Sequence, residues 1–176
     1  MSERSIYVSH AENIIRHTVE NIRISIDPNY TFPEDLLVKR ACFVSIHRSD
    51  DSLRGCIGTI EPTCSTLYEE IKRNAIAACT RDSRFDPVSP SELNDLIISV
   101  DVLSLPEMVD DINSLNPQIY GIIISDNYNR KGVLLPNLPS VKTVQDQINI
   151  VKRKAGINSN GVEGLNVYRF TSKRYY

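Results

Sequence analysis

Apolar residues recur every three or four positions in three stretches of the chain, which is the spacing of one helix face. Each stretch begins at a hydroxyl residue, Ser9, Thr66 or Thr143, with an acidic residue three positions later. That pair is typical of a helix N-cap, and Gly156 closes the last stretch as a left-handed C-cap would. The pattern predicts three main helices, with apolar faces of Ile14, Ile15, Val19 and Ile22 in the first, Leu67, Ile71, Ala75 and Ala78 in the second, and Val144, Ile148, Val151 and Ala155 in the third.

Other apolar stretches are short, rich in β-branched residues and separated by polar turns, as strands are. Residues 41–48 and 53–60 flank the turn SDDS, and residues 120–125 and 131–136 flank DNYN, so each pair predicts a hairpin. Hairpins mixed with helices, without regular βαβ alternation, favour an α+β fold with a largely antiparallel or mixed sheet. We expect one domain over residues 1–176, in which further strands at 96–105 and 166–171 join the main sheet.

Composition narrows the class of protein only slightly. Of the 176 residues, 41% are hydrophobic and 24% are charged, as in an ordinary soluble domain. The sequence has no apolar run of the roughly 18 residues that cross a bilayer, and the N-terminus lacks the apolar core of a secretion signal. We therefore expect a cytoplasmic protein with no membrane partner. Its four cysteines form no CxxC pair, which predicts free thiols and no metal site.

Charge is unevenly distributed along the chain. From Asn127 onward there are nine Lys or Arg residues and two Asp or Glu residues, whereas the first 126 residues carry eleven basic and twenty acidic ones. A basic segment could face phosphate, RNA or an acidic partner. Because no recognised nucleic-acid motif accompanies it, we favour acidic and basic parts that neighbour each other in the fold. Lys152 and Arg153 are expected in solvent at the end of the last helix.

The stretch LRGCIG, from Leu53 to Gly58, combines strand residues with two glycines. Residues two apart in a strand share a face, so Arg54 is expected beside Cys56. A guanidinium stabilises a thiolate, and the glycines would leave space and free backbone N–H groups for an anion. We predict Cys56 as the catalytic residue and Arg54, Gly55 and Gly58 as substrate-binding residues. The alternative is a buried Cys56 with glycines that mark only a kink.

The stretch RDSRFDP, which begins at Arg81, places two arginines, two acids and an aromatic ring in one loop. Loops on a rigid scaffold often carry binding residues. We predict that Arg84 binds an anionic ligand, that Asp82 completes the pocket and that Phe85 forms an apolar wall. In the alternative interpretation, Asp82 and Asp86 simply neutralise the loop's own arginines.

His47 is the candidate base nearest to LRGCIG in the sequence. It ends the preceding strand, and a five-residue turn would pair it with Leu53. That register places His47 on the face opposite Cys56, and a slip of one residue would reverse the result. The sequence alone leaves both registers open.

Most of the chain, from FVSI to the final YRF, resembles the AMMECR domain family. LRGCIG is the hallmark of that family, and AIAACTRDSRFDPV resembles its alanine-rich helix and DPRF-like turn, with Ser83 where proline is usual. VDVLSLPE, GVLLP and KAGI resemble three further segments, although Lys152 stands where the family usually has cysteine. The resemblance implies an α+β protein of two unequal lobes, with the LRGCIG strand near a cleft. It also implies Memo-type and radical SAM proteins as partners in a modification pathway, and it names no cofactor.

Two functions are consistent with these residues. The first is an enzyme, or a component of one, that binds a small anionic or RNA-derived substrate beside the LRGCIG strand. Cys56 would then be a nucleophile or redox thiol. The second is a non-catalytic module that binds a ligand or a protein with the same surface. An accessible, thiolate-like Cys56 near neutral pH would distinguish the first from the second.

Overall fold

The part of the chain that the structure describes contains two antiparallel sheets of four strands each. The computed structural model describes residues 5–23 and 31–176. The chain divides into two units, one of residues 1–102 with Lys173–Tyr176 and one of Leu103–Ser172. The α+β fold class predicted from the sequence is confirmed, with two sheets in place of one main sheet. The described ranges contain no helix with the length and apolar content to cross a bilayer.

The secondary structure follows the predicted order of helices and strands. In chain order the elements are α1 Ile6–Val19, α2 Glu34–Leu37, β1 Cys42–Arg48, β2 Leu53–Gly58, α3 Leu67–Thr80, a 3₁₀ helix Pro90–Asp95, β3 Leu96–Leu103, β4 Glu107–Met108, a 3₁₀ helix Ile112–Ser114, β5 Gly121–Ser125, β6 Lys131–Leu134, α4 Val144–Ala155, β7 Asn166–Phe170 and β8 Ser172–Tyr175.

The first unit is a sheet in the order β2-β1-β3-β8, with α1 and α3 packed together. Side chains alternate along β1, so that Val44 and Ile46 are buried in one apolar cluster with Ile71 and Ala75 of α3. The opposite face of β1 carries Phe43, Ser45 and His47 by the same alternation. One face of this sheet is therefore an apolar core and the other is largely polar.

The second unit is a sheet in the order β4-β7-β5-β6. Ile148 and Val151 of α4 are buried with Ile122 and Ile124 of β5, as the apolar stripe predicts. The strand predicted at residues 166–171 forms as β7, between β4 and β5 of this sheet. The last residues of the chain return to the first sheet as β8.

The predicted helix caps are confirmed at α3 and α4 but not at α1. Thr66 Oγ1 accepts a hydrogen bond from the backbone N–H of Glu69, and Thr143 caps α4 in the same way. Gly156 ends α4 with a φ of +67°, a conformation that glycine adopts without strain. The first helix starts at Ile6, so the predicted start at Ser9 is wrong. Buried Val8 and partly buried Ile6 and Tyr7 extend the apolar stripe toward the N-terminus.

Lys152 is buried, which contradicts the prediction that it lies in solvent; Arg153 is exposed as predicted. The Nζ atom of Lys152 donates hydrogen bonds to the carbonyl oxygens of Ser159 and Gly161. A buried ammonium group needs hydrogen-bond acceptors, and two carbonyl groups of the loop that follows α4 supply them. Its role here is to hold that loop.

Candidate functional site

The Cys56 thiol lies on β2, the strand at one edge of the first sheet. The register pairs Cys56 with Ser45 of β1. Ser45 Oγ donates a hydrogen bond to Cys56 Sγ over 3.2 Å. Ser45 is 4% exposed, whereas Cys56 is partly exposed. The thiol thus accepts a hydrogen bond from a buried hydroxyl, in a residue that is itself only partly buried.

The outer backbone groups of Cys56 bind the side chains of an ion pair rather than a neighbouring strand. The N–H of Cys56 donates to Asp82 Oδ2 over 2.8 Å, and Arg84 Nη2 donates to the Cys56 carbonyl oxygen over 3.3 Å. Arg84 also donates to both carboxylate oxygens of Asp82, over 2.9 and 2.7 Å. Asp82 and Arg84 therefore occupy the sheet edge where another strand would otherwise pair.

The ion pair of Asp82 and Arg84 determines the charge beside the backbone of Cys56. Hydrogen bonds from Arg84 and from the Cys56 amide hold the pKa of Asp82 well below its usual range. The pKa of Arg84 is raised, first by hydrogen bonding to Asp82 and in smaller part by the neighbouring Cys56 side chain. The Arg84 side chain is 55% exposed. Its Nη1 has no hydrogen-bond partner within residues 5–23 and 31–176.

Arg54 contacts a different partner from the one that its position in the motif predicts. Its Nε and Nη2 donate to the carboxylate oxygens of Glu92 over 2.6 and 3.0 Å. Its Nη1 donates to the Asp86 carbonyl oxygen over 3.0 Å. The guanidinium is buried in these contacts. The cation coupled to Cys56 is Arg84, and Arg54 instead fastens the 82–92 loop to β2.

Neighbouring groups occupy the space beside both glycines of LRGCIG. A Cβ atom at Gly55 would lie 2.4 Å from the carbonyl oxygen of Ala78 in α3. A Cβ atom at Gly58 would lie 2.2 Å from the Phe43 ring and 2.7 Å from its Cα. The expectation of free space at Gly58 is therefore wrong. Glycine is required at both positions because a helix backbone and an aromatic ring approach β2 closely.

A β-bulge changes the prediction for His47. The predicted pairing with Leu53 is present, but the register shifts between Ile46 and His47, so β2 carries one extra residue there. Ser45 rather than Ile46 then shares the face of Cys56, and His47 shares a face with Ser45. Of the two faces that the sequence leaves open for His47, the structure has the one that it shares with Cys56.

Phe85 lies between the two arginines of the site. The guanidinium carbons of Arg54 and Arg84 are 5.9 and 5.5 Å from the ring centroid, within the range of cation–π attraction. The ring is half-buried. Phe85 thus stands beside Arg84 as the sequence predicts, while it also packs against the support formed by Arg54.

Sequence reasoning missed two residues of this arrangement. Ser45 was identifiable only from the exact hairpin register, which the bulge alters. Glu92 belongs to the capping box of the 3₁₀ helix Pro90–Asp95, where it accepts a hydrogen bond from the Ser89 amide over 2.8 Å. Its second role, as the partner of Arg54, joins positions 38 residues apart in the chain, which no local pattern reveals.

The remaining cysteines differ from Cys56 in their surroundings. Burial raises the pKa of Cys42 to about 12 and the pKa of Cys79 to about 11. Cys64 is partly exposed, and all four thiols are free, as predicted. Within the described ranges, no three His, Cys, Asp or Glu side chains are placed to hold a metal ion.

Comparison with known proteins identifies the family. The profile of the family described as AMMECR1 matches residues 8–175. The chain belongs to the AMMECR1 family. A protein from Thermotoga maritima is 47% identical over 96% of each chain. A protein from Clostridium acetobutylicum is 40% identical over 98% of this chain, which spans only 36% of that protein's length.

The fold of this AMMECR1-family chain also has a solved counterpart. The crystal structure of an uncharacterised protein from Pyrococcus horikoshii is similar, with a TM-score of 0.78 and 27% identity. The match covers 96% of this chain and 88% of that one. The resemblance inferred from LRGCIG and its companion segments is confirmed.

Proposed function

We propose that this AMMECR1-family protein is an enzyme, or the thiol-bearing component of one, that binds a small anionic or RNA-derived substrate beside the LRGCIG strand. Cys56 is its nucleophile or redox thiol. The observation that carries the proposal is a partly exposed Cys56 whose sulfur accepts a hydrogen bond from buried Ser45 and whose carbonyl oxygen accepts one from the Arg84 guanidinium. A hydroxyl donor and a cation both favour the charged form of sulfur, which is the reactive form.

Anion recognition is assigned to Arg84. One edge of its guanidinium binds Asp82, while Nη1 is available to a carboxylate or phosphate oxygen. Phe85 supplies an apolar wall beside it. Asp82 fixes the direction of the guanidinium. Arg54, Gly55 and Gly58, predicted as substrate-binding residues, contribute by holding the loop, α3 and Phe43 in place around β2.

The experiment compares a neutral and an anionic alkylating agent of the same size. Iodoacetamide and iodoacetate are reacted with the native protein near neutral pH, and each cysteine is quantified by peptide mass spectrometry. We expect Cys56 to react before Cys42 and Cys79, and we expect its iodoacetate-to-iodoacetamide rate ratio to exceed that of Cys64. Loss of a partly exposed cation next to a thiolate is worth ~0.5–1.4 kcal/mol, so Arg84→Gln should slow Cys56 alkylation by about 2–10-fold.

Arg81→Gln is the matched control, because Arg81 is an exposed arginine on the same loop. It should leave both the rate and the ratio at Cys56 unchanged. If Cys56 remains unlabelled until the protein unfolds, the thiol is a packing residue and the proposal is wrong. If it reacts without preference for the anionic reagent, the anion-binding part of the proposal fails.

The second candidate is a non-catalytic binding module that uses the same surface. Two observations favour it. Arg54 and Arg84 already bind the carboxylates of Glu92 and Asp82, and the N–H and carbonyl groups of Cys56 already have hydrogen-bond partners. The family resemblance implies Memo-type and radical SAM proteins as partners for either candidate. Copurification of such a partner with the Cys56→Ser variant as strongly as with wild type, together with an unreactive Cys56, would favour the module.

A further inference from the structure

A row of polar side chains crosses three strands of the first sheet and ends at the thiol. The register places Cys56 opposite Ser45 and Ser45 opposite Ser99 of β3. Directly opposed residues project from the same face of a sheet. Only the first link of this row, from Ser45 Oγ to Cys56 Sγ, is a formed hydrogen bond.

Ser99 is the unexplained member of the row. It is 0% exposed, and its Oγ has no hydrogen-bond partner among residues 5–23 and 31–176. The neighbouring acid on the same face, Asp101, already accepts hydrogen bonds from Arg174 over 2.9 and 2.8 Å. A buried hydroxyl without a partner is unfavourable and calls for a reason.

We propose that Ser99 is a positioning residue for the Cys56 thiolate and acts through Ser45. Ser45 Oγ donates a hydrogen bond to the sulfur. The lone pairs of the same oxygen can therefore accept a hydrogen bond from Ser99. Opposed Cβ atoms lie about 4.5–5.5 Å apart, so rotation of Ser99 about χ1 brings its hydroxyl within hydrogen-bonding distance of Ser45 Oγ. The chain Ser99 to Ser45 to sulfur then strengthens as negative charge develops at the sulfur. This inference rests on the proposed function of Cys56.

The test is a double-mutant cycle in the full chain. The Ser99→Thr variant carries a hydroxyl where the Ser99→Val variant carries a methyl group, and both side chains are compatible with a strand. Each is made with Ser45 intact and with Ser45→Ala. The readouts are the iodoacetamide rate of Cys56 relative to Cys64, and the ultraviolet absorbance of the thiolate near neutral pH.

We expect Ser99→Val to lower the Cys56 rate about 2–3-fold relative to Ser99→Thr when Ser45 is present, since cooperative strengthening is a fraction of one hydrogen bond. The difference should vanish with Ser45→Ala, because the link to the sulfur is gone. A purely structural serine would change stability without a change in the Cys56 rate that depends on Ser45.

Equal Cys56 rates in Ser99→Thr and Ser99→Val, with Ser45 intact, would overturn the inference. A slowing that persists with Ser45→Ala would also overturn it, since Ser99 would then act by another route. In either case a reactive wild-type Cys56 leaves the proposed function standing. A wild-type Cys56 that does not react in the folded protein refutes the proposed function and this inference with it.

Discussion

The ion pair between Arg54 and Glu92 fastens the loop that carries Asp82 and Arg84, and its contribution can be measured by Glu92→Gln. The carboxylate accepts two hydrogen bonds from Arg54 and two from Ser89, through its amide and its hydroxyl. These bonds, with that from Arg54 the largest, lower the pKa of Glu92 from 4.5 to about 2. Glutamine keeps the shape of the side chain but removes the charge that these donors stabilise.

The magnitude follows from the pKa of Glu92. A tenfold change in a proton equilibrium is worth about 1.4 kcal/mol, so the lowered pKa corresponds to at most about 3–4 kcal/mol. Since 30% of the Glu92 side chain is exposed, solvent screening reduces this to about 1–2 kcal/mol. The pKa is lower in the folded state, so the contribution is complete above pH 4.5 and is lost as pH falls toward 2.

The assay is urea unfolding of wild type and Glu92→Gln from neutral pH down to about pH 3, over which linkage removes the carboxylate's contribution. We expect a loss of about 1–2 kcal/mol at neutral pH that shrinks as the solution is acidified. Glu107→Gln is the control, because Glu107 is 68% exposed in its pair with Arg169 and should cost less than about 0.5 kcal/mol at every pH. A loss at Glu92 that is independent of pH, or no larger than the control, would refute this reasoning.

Three further predictions follow from packing. Gly58→Ala should lower the free energy of unfolding by about 1–3 kcal/mol, because the new methyl group meets the Phe43 Cα and ring; unchanged stability in urea would contradict this. Ile148→Ala should cost about 2–5 kcal/mol, since Ile148 is buried in the second unit; a loss below ~1 kcal/mol would mean that α4 packs differently. Cys42 and Cys79, whose pKa values burial raises to about 12 and 11, should resist alkylation until the protein unfolds, and early labelling of either would refute their burial.

The elements that the sequence determined by itself depend on contacts within a few residues. Thr66 meets the Glu69 amide one turn away, and Gly156 meets the end of its own helix. The first hairpin likewise follows from a polar turn between two strand-forming segments. Such interactions are complete within a short segment, so the pattern of residue types is enough to predict them. The start of α1 is the exception, because burial of residues before Ser9 outweighs the capping signal there.

The site was decided by contacts between distant segments. Arg54 and Cys56 are two residues apart, yet Arg54 binds Glu92 at a separation of 38 residues, and the arginine that meets Cys56 is Arg84, 28 residues away. One bulge in the hairpin moves His47 to the face of Cys56, because side chains alternate with every residue. A sequence pattern states which groups are present and which face each prefers. Which cation meets Cys56 depends on how loop, helix and sheet pack, and only the tertiary structure decides it.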